Sequence, residues 1–283
     1  LVNVLLSLFL KRLIIGSLSI HLKMFKRMKN LLQTTLFITL AFLSGCSKGN
    51  HSSDSTINQK AEAIVSEMNL EEKVGQMTQI TLSHLLKSDE NGVIEPFQLD
   101  TNKLKEAIIK YNVGSVFNSG GHANSLEKWN EIIPAIQEMA IKDTRMGIPI
   151  IYGIDAIHGA NYTKDATLFP QQIAQAATFN ENIAYKIGEI TAYETRASGI
   201  SWNFSPVLGL GRHAAWPRFW ETFGEDVYLT SVMGEALTKG YQGESHTDDS
   251  TKITACMKHY LGYSAPNTGK DRTPASIPER EIR

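Results

Sequence analysis

Two hydrophobic periods alternate along the chain. Apolar residues recur three and four positions apart at Ala61, Ile64, Val65 and Met68, at Leu104, Ile108 and Ile109, at Leu126, Trp129, Ile132, Ile133, Ile136 and Ala140, and at Ile183, Ile187, Ile190 and Ala197. That spacing predicts amphipathic helices. Between them lie short, near-continuous apolar runs at residues 113–118, 148–155 and 200–206 and one through Ala255, which predict four strands. Start signals fall where the helical pattern needs them: Asn69 with Glu72 three residues on, Thr101, Ser125, Pro170 for a short helix, and Asp226 for a helix to about residue 241.

Strict alternation of helix and strand implies parallel pairing through right-handed crossovers. Apolar strands covered by helices fit an α/β fold, the N-terminal part of a (β/α)8 TIM barrel, better than a sandwich. About four βα units are expected. Residues 276–283 read as the start of a capped helix, so the chain is expected to end inside the domain.

The first 56 residues follow other rules. Residues 1–23 contain an apolar run broken by Lys11 and Arg12, a poor membrane span, and are expected to be an upstream extension. Residues 24–46 carry Lys26, Arg27 and Lys29, then an apolar stretch, then Leu43-Ser44-Gly45-Cys46, the layout of a signal peptide. The last four residues resemble the bacterial lipobox, which implies cleavage before Cys46, acylation of its thiol, and a lipoprotein of the periplasm, outer membrane or cell surface, attached to the membrane by its lipid. The alternative is an ordinary secretory signal or a short anchor. Residues 47–56 are expected to be a polar tether and residues 57–283 the incomplete barrel domain. A formal net charge of −1 leaves no electrostatic footprint for nucleic acid. The cysteines, Cys46 and Cys256, give no disulfide framework, and Cys256, inside an apolar run, is expected to be a small buried thiol.

Candidate chemistry gathers where the strands stop. Adjacent residues on a strand point to opposite faces, so Lys258 and His259 can serve one spot only at the strand's end. The polar set expected there is Asp155, Arg196, Arg218, Lys258 and His259, with Asp271 or Arg272, and with Trp202, Trp216, Phe219 and Trp220 nearby in sequence. A carboxylate, fixed cations and aromatic faces suit a neutral polyhydroxylated ligand, because each hydroxyl donates and accepts and each sugar face stacks on a ring. A phosphosugar fits less well without a glycine-rich phosphate loop, and the histidines show no metal-ligand spacing, so no metal and no cofactor is expected.

The runs Ile150-Ile151-Tyr152-Gly153-Ile154-Asp155-Ala156-Ile157-His158-Gly159, Ala166-Thr167-Leu168-Phe169-Pro170, Pro217-Arg218-Phe219-Trp220-Glu221-Thr222-Phe223-Gly224-Glu225-Asp226 and Ala255-Cys256-Met257-Lys258-His259-Tyr260 resemble, in order, the N-terminal domain of family 3 glycoside hydrolases, which include many bacterial β-glucosidases. The stretch Gly269-Lys270-Asp271-Arg272-Thr273-Pro274 is similar to the secreted or lipoprotein β-glucosidases of the Bacteroides type. The resemblance implies hydrolysis of terminal non-reducing β-D-glucosyl residues by a retaining double displacement. It makes Asp155 the acceptor for the far sugar hydroxyls, with Arg196, Lys258 and His259 in the same subsite and Arg218 completing it. Asp rather than Glu at 155 favours a glucoside over a β-xyloside, the alternative substrate. The stretch Gly262-Tyr263-Ser264-Ala265-Pro266-Asn267 lacks the Gly-His and Asp of the N-acetylglucosaminidase branch. The resemblance also implies that the nucleophile and acid/base lie beyond residue 283, so no catalytic role falls to Asp155, Glu221, Glu225 or Asp226. Glu221 is expected to pair with an arginine and Asp226 to cap a helix. Two rivals stand beside this reading: a non-catalytic cell-surface sugar-binding lipoprotein, and an aldolase-like barrel with Lys258 as Schiff base, which requires a desolvated lysine. The oligomeric state is left open.

Overall fold

The computed structural model describes residues 51–243 and 249–282. Residues 1–46, expected to be an upstream extension and a signal peptide ending at Cys46, therefore lie outside the described residues. The chain divides into two compact units, residues 1–66 and 67–283. Helix α1 is His51–Glu67, so residues 51–56, expected as tether, are helical. With no Gly or Pro among them, nothing breaks the helical backbone there.

The second unit is an α/β fold. After Met68, Asn69 forms the expected capping box on α2, Leu70–Gln76: its side chain accepts from the Glu72 amide at 2.8 Å while Glu72 accepts from the Asn69 amide at 2.9 Å. Five parallel strands follow: β1 (Gln79–Thr81), β4 (Ser115–Phe117), β5 (Ile151–Ile154), β6 (Trp202–Asn203) and β7 (Thr254–Ala255). Between the first two sits an antiparallel hairpin, β2 (Ser88–Asp89) with β3 (Gly92–Val93). The spatial order of the main sheet is β1-β4-β5-β6-β7, its order along the chain, with every pairing parallel. Strand order that never reverses is barrel-type winding; a doubly wound sheet turns back at a switch point. The helices are α3 (Thr101–Lys105, continued by a π turn to Lys110), α4 (Leu126–Asp143), α5 (Gln172–Ala176), α6 (Glu181–Ala197), α7 (Val227–Gln242) and α8 (Glu279–Ile282).

Strand β1 is one more than the four expected strands. Its single central Ile80 between Gln79 and Thr81 is too short a run for periodicity to register. The cap of α3 is Asp100, which accepts from the amides of Asn102 and Lys103, rather than Thr101. Ser125 caps α4 through the Lys128 amide, and Trp129, Ile132, Ile133, Ile136 and Ala140 are buried as the stripe requires, although Leu126 is exposed. They pack on Val116, Tyr152 and Ile154 of the sheet. Trp129 and Ile136 are fully buried; Trp129→Ala would cost about 3–5 kcal/mol.

On α6 the buried face differs from the predicted stripe. Ala184, Ile187, Gly188, Thr191 and Thr195 are buried, while Ile183 and Ile190 are exposed. The cause is close backbone packing against α7: a Cβ at Gly188 would meet the Leu237 carbonyl at 2.5 Å, and one at Gly240 the Tyr185 carbonyl at 2.3 Å. Helices approaching so closely must present small residues, which displaces the larger ones from the contact.

Candidate functional site

Asp155 follows β5 immediately, and Lys258 and His259 follow β7 by three and four residues. Pairing continues past the strand ends: the Lys258 amide donates to Pro206 and its carbonyl accepts from Leu208, carrying Lys258 to the C-terminal side of the sheet. The Lys258–His259 peptide is cis. The buried Asn203 amide fastens the neighbouring turn, its Oδ1 accepting from the Ala156 amide at 2.9 Å and its Nδ2 donating to the Ala156 carbonyl at 3.0 Å. Sequence reasoning did not single out Asn203, although a polar residue inside an apolar strand is the signal. Gly159 (φ +106°) lets this turn press against the next: a Cβ there would stand 2.0 Å from the Thr167 carbonyl. The adjacent His158 is held by its Nδ1 contact with the Phe169 carbonyl at 3.0 Å.

These turns enclose a cavity of about 680 Å³ lined by Asp155, Arg218, Lys258 and His259, with His158, Trp220, Asp271 and Arg272. Phe117 and Phe204 supply apolar wall. Lys258 Nζ donates to Asp155 Oδ1 at 2.5 Å. Arg218 grips Glu221 bidentately, Nε to Oε1 at 2.7 Å and Nη2 to Oε2 at 2.6 Å, and its Nη2 also reaches His259 Nε2 at 3.5 Å. Glu221 thus pairs with an arginine as expected, and Asp226 caps α7 through the Leu229 amide at 2.7 Å.

Arg196 is not among the residues lining the cavity. It sits in the last turn of α6, six residues before β6 begins, whereas Asp155, Lys258 and His259 follow the ends of their strands. Arg218, brought back by the loop after β6, is the arginine that lines it. Of the aromatics expected nearby only Trp220 forms part of the wall; Trp216 is buried, its indole N–H donating to Asp271 Oδ1 at 3.0 Å. Both Asp271 and Arg272 line the cavity, where the sequence left a choice between them. Cys256 is a partly exposed free thiol lining the cavity, not a buried strand residue, because β7 ends at Ala255.

Among the lining residues Lys258, Arg218 and Arg272 face Asp155, Glu221 and Asp271, so the formal charges balance. Burial, then the charges of Arg218 and Lys258, push the His259 pKa down to about 4, leaving the imidazole neutral near pH 7. Burial pushes the Asp271 carboxyl up, but hydrogen bonds from Trp216 and Tyr263 and the charges of Arg218 and Arg272 outweigh it and hold it below the ordinary value. The Glu221 carboxylate raises the Arg218 pKa further, so that guanidinium is permanently charged. The cavity therefore offers fixed donors and acceptors with no excess charge, which suits a neutral hydroxylated ligand better than a phosphorylated one. No group of His, Cys, Asp and Glu suited to a metal ion occurs among the described residues.

The family model described as "Glycosyl hydrolase family 3 N terminal domain" matches residues 69–283. The chain is 40% identical over 232 residues to "Lysosomal beta glucosidase" of Dictyostelium discoideum, covering 78% of this chain and 28% of that protein. It superposes on an exo-1,3/1,4-beta-glucanase from a Pseudoalteromonas species with a TM-score of 0.70 at 27% identity, covering 81% of this chain and 27% of that one. A beta-glucosidase from Listeria innocua in complex with isofagomine matches with a TM-score of 0.59 at 31% identity, over 75% of this chain and 27% of the other. The chain thus spans about a quarter of the length of these relatives.

Proposed function

The chain belongs to glycosyl hydrolase family 3, whose N-terminal domain it carries as part of a (β/α)8 barrel, and on that premise we propose that it supplies the sugar-binding half of a β-glucosidase acting on terminal non-reducing β-D-glucosyl residues. The observation that carries the proposal is the Asp155–Lys258 pair beside neutral His259 and charged Arg218 in one charge-balanced cavity at the strand ends. Asp155 accepts from adjacent sugar hydroxyls; Lys258 and Arg218 donate to hydroxyls nearer the reacting carbon, and neutral His259 donates to or accepts from them. Hydrogen bonds to these ring hydroxyls strengthen as an oxocarbenium-like state forms.

Retaining hydrolysis needs a carboxylate nucleophile and a carboxylic acid/base flanking the glycosidic bond. The three carboxylates lining the cavity are otherwise engaged: Asp155 with Lys258, Glu221 with Arg218, and Asp271 with Trp216. As the family resemblance implies, both catalytic carboxyls fall, in this reading, beyond residue 283. Residues 24–46 direct export, and Cys46 carries the acyl anchor. Radiolabelled palmitate should label the precursor in cells, and Cys46→Ala should abolish labelling and membrane attachment together; fractionation unchanged by the substitution would contradict the anchor.

The activity is tested with the protein expressed from its complete reading frame. It should release nitrophenol from an aryl β-glucoside faster than from the β-xyloside, while residues 47–283 alone release none. Turnover by the 283-residue chain would overturn the placement of the nucleophile. A folded complete protein that binds glucose without hydrolysing any aryl β-glycoside would favour the sugar-binding lipoprotein instead.

A further inference from the structure

Tyr263 does not line the cavity, yet it touches two residues that do. Its hydroxyl accepts from Arg218 Nη1 at 3.0 Å. Its ring lies 4.4 Å from the His259 ring, centroid to centroid, with the Arg218 guanidinium 5.4 Å from its own centroid. Behind it stands buried Trp216, edge-on at 5.7 Å, whose indole N–H holds the Asp271 carboxylate.

The donors explain why this matters. A guanidinium has five N–H groups. In Arg218 two are bound by Glu221 and one by Tyr263, which leaves the remainder for the cavity and for His259 Nε2. Glu221, at the end of the single 3₁₀ turn Phe219–Glu221 that follows Arg218, fixes one edge of the guanidinium plane but not the position of the far edge. Tyr263 fixes the far edge from a different part of the chain. That part is itself braced: the Asn267 amide donates to Pro274, Asn267 Nδ2 donates to Ser276 Oγ at 2.9 Å, and the Ser276 amide donates back to Asn267 Oδ1 at 3.1 Å. Asp271 and Arg272 lie inside this loop.

We propose that Tyr263 is a positioning residue: its hydrogen bond from Arg218, with the tyrosine ring packed between His259 and Trp216, sets the guanidinium and imidazole where the ligand meets them. The kinetic side of this proposal rests on the glycosidase reading; the structural side does not. Phenylalanine at 263 keeps the ring and deletes only the hydroxyl, so Tyr263→Phe separates positioning from packing.

In the complete protein, Tyr263→Phe should raise KM for an aryl β-glucoside about tenfold, the usual effect of losing one charge-assisted hydrogen bond, with kcat changed less and the melting temperature nearly that of the wild type. Its crystal structure should show Arg218 Nη2 withdrawn from the 3.5 Å contact with His259 Nε2. Kinetic constants within twofold of wild type, or an Arg218 guanidinium that has not moved, would overturn the proposal. So would a fall in melting temperature without a change in KM, since that is a packing role alone. If the wild type hydrolyses no aryl β-glucoside, the glycosidase reading fails while the crystal structure of the variant still decides the positioning role.

Discussion

Replacing Asp155 by alanine removes the one carboxylate that the cavity pairs with Lys258. In the proposed complex it accepts from two sugar hydroxyls, each charge-assisted bond being worth about 1.5–3 kcal/mol. Two such bonds amount to about 3–6 kcal/mol of transition-state binding, or a loss of roughly 10²–10⁴ in kcat/KM for the complete protein. Stability should change far less. The Asp155 side chain is 38% exposed, so solvent screens its pairing with Lys258, and about 1 kcal/mol is a fair ceiling for what the ion pair contributes to folding. In a domain of this size that corresponds to about 2–4 °C. The assay is steady-state hydrolysis of an aryl β-glucoside alongside a thermal melt followed by circular dichroism. Activity within a few-fold of wild type would refute the subsite assignment. A protein that no longer folds would show that Asp155 is a structural carboxylate.

Three further outcomes follow from the same geometry. Glu221→Ala leaves the largely buried Arg218 guanidinium without its bidentate partner and should destabilise the fold by about 3–5 kcal/mol, read from urea unfolding; a loss below about 1 kcal/mol would mean the pair is solvated. Arg196→Ala should leave kcat/KM of the complete protein within about twofold, whereas Arg218→Ala should lower it at least about tenfold; the reverse order would return Arg196 to the site. His259 should stay neutral until the pH approaches about 4, which NMR of isotope-labelled histidine would follow, and a midpoint near its ordinary 6.5 would contradict the burial of the ring. Above 6.5 both folded and unfolded chains hold it neutral; between 6.5 and about 4 only the unfolded chain takes up the proton, so its contribution to stability falls as the pH drops through that window.

The legible parts of the fold were those in which one physical signal acts alone. The α4 stripe from Trp129 to Ala140 and its Ser125 cap form as the pattern requires, because a long amphipathic helix over a sheet has one apolar face to bury. The Asn69–Glu72 capping box and the Asp226 cap are local hydrogen bonds that need no tertiary partner. The misreadings occur where tertiary contact overrides local pattern. On α6 the glycine contact between Gly188 and Gly240 chooses the small face over the isoleucines. Strand β1 is defined by its register with β4 rather than by its own three residues.

The site divides the same way. Asp155, Lys258 and His259 could be found because each stands at the end of an apolar run, where a parallel sheet exposes its chemistry. Arg218 and Arg196 differ only in how the chain returns to the sheet, which no spacing reveals. Tyr263 was invisible as a functional residue because its effect passes through Arg218 and His259 and depends on contacts reaching 45 residues along the chain.

A structure of the complete protein crystallised with glucose decides whether the cavity at the strand ends is the subsite for a terminal glucosyl residue. One sugar should occupy the cavity, with Asp155 accepting from two of its hydroxyls and Lys258, His259 and Arg218 within hydrogen-bond reach of others. Glucose bound elsewhere while the Asp155–Lys258 cavity stays free of it would contradict that assignment.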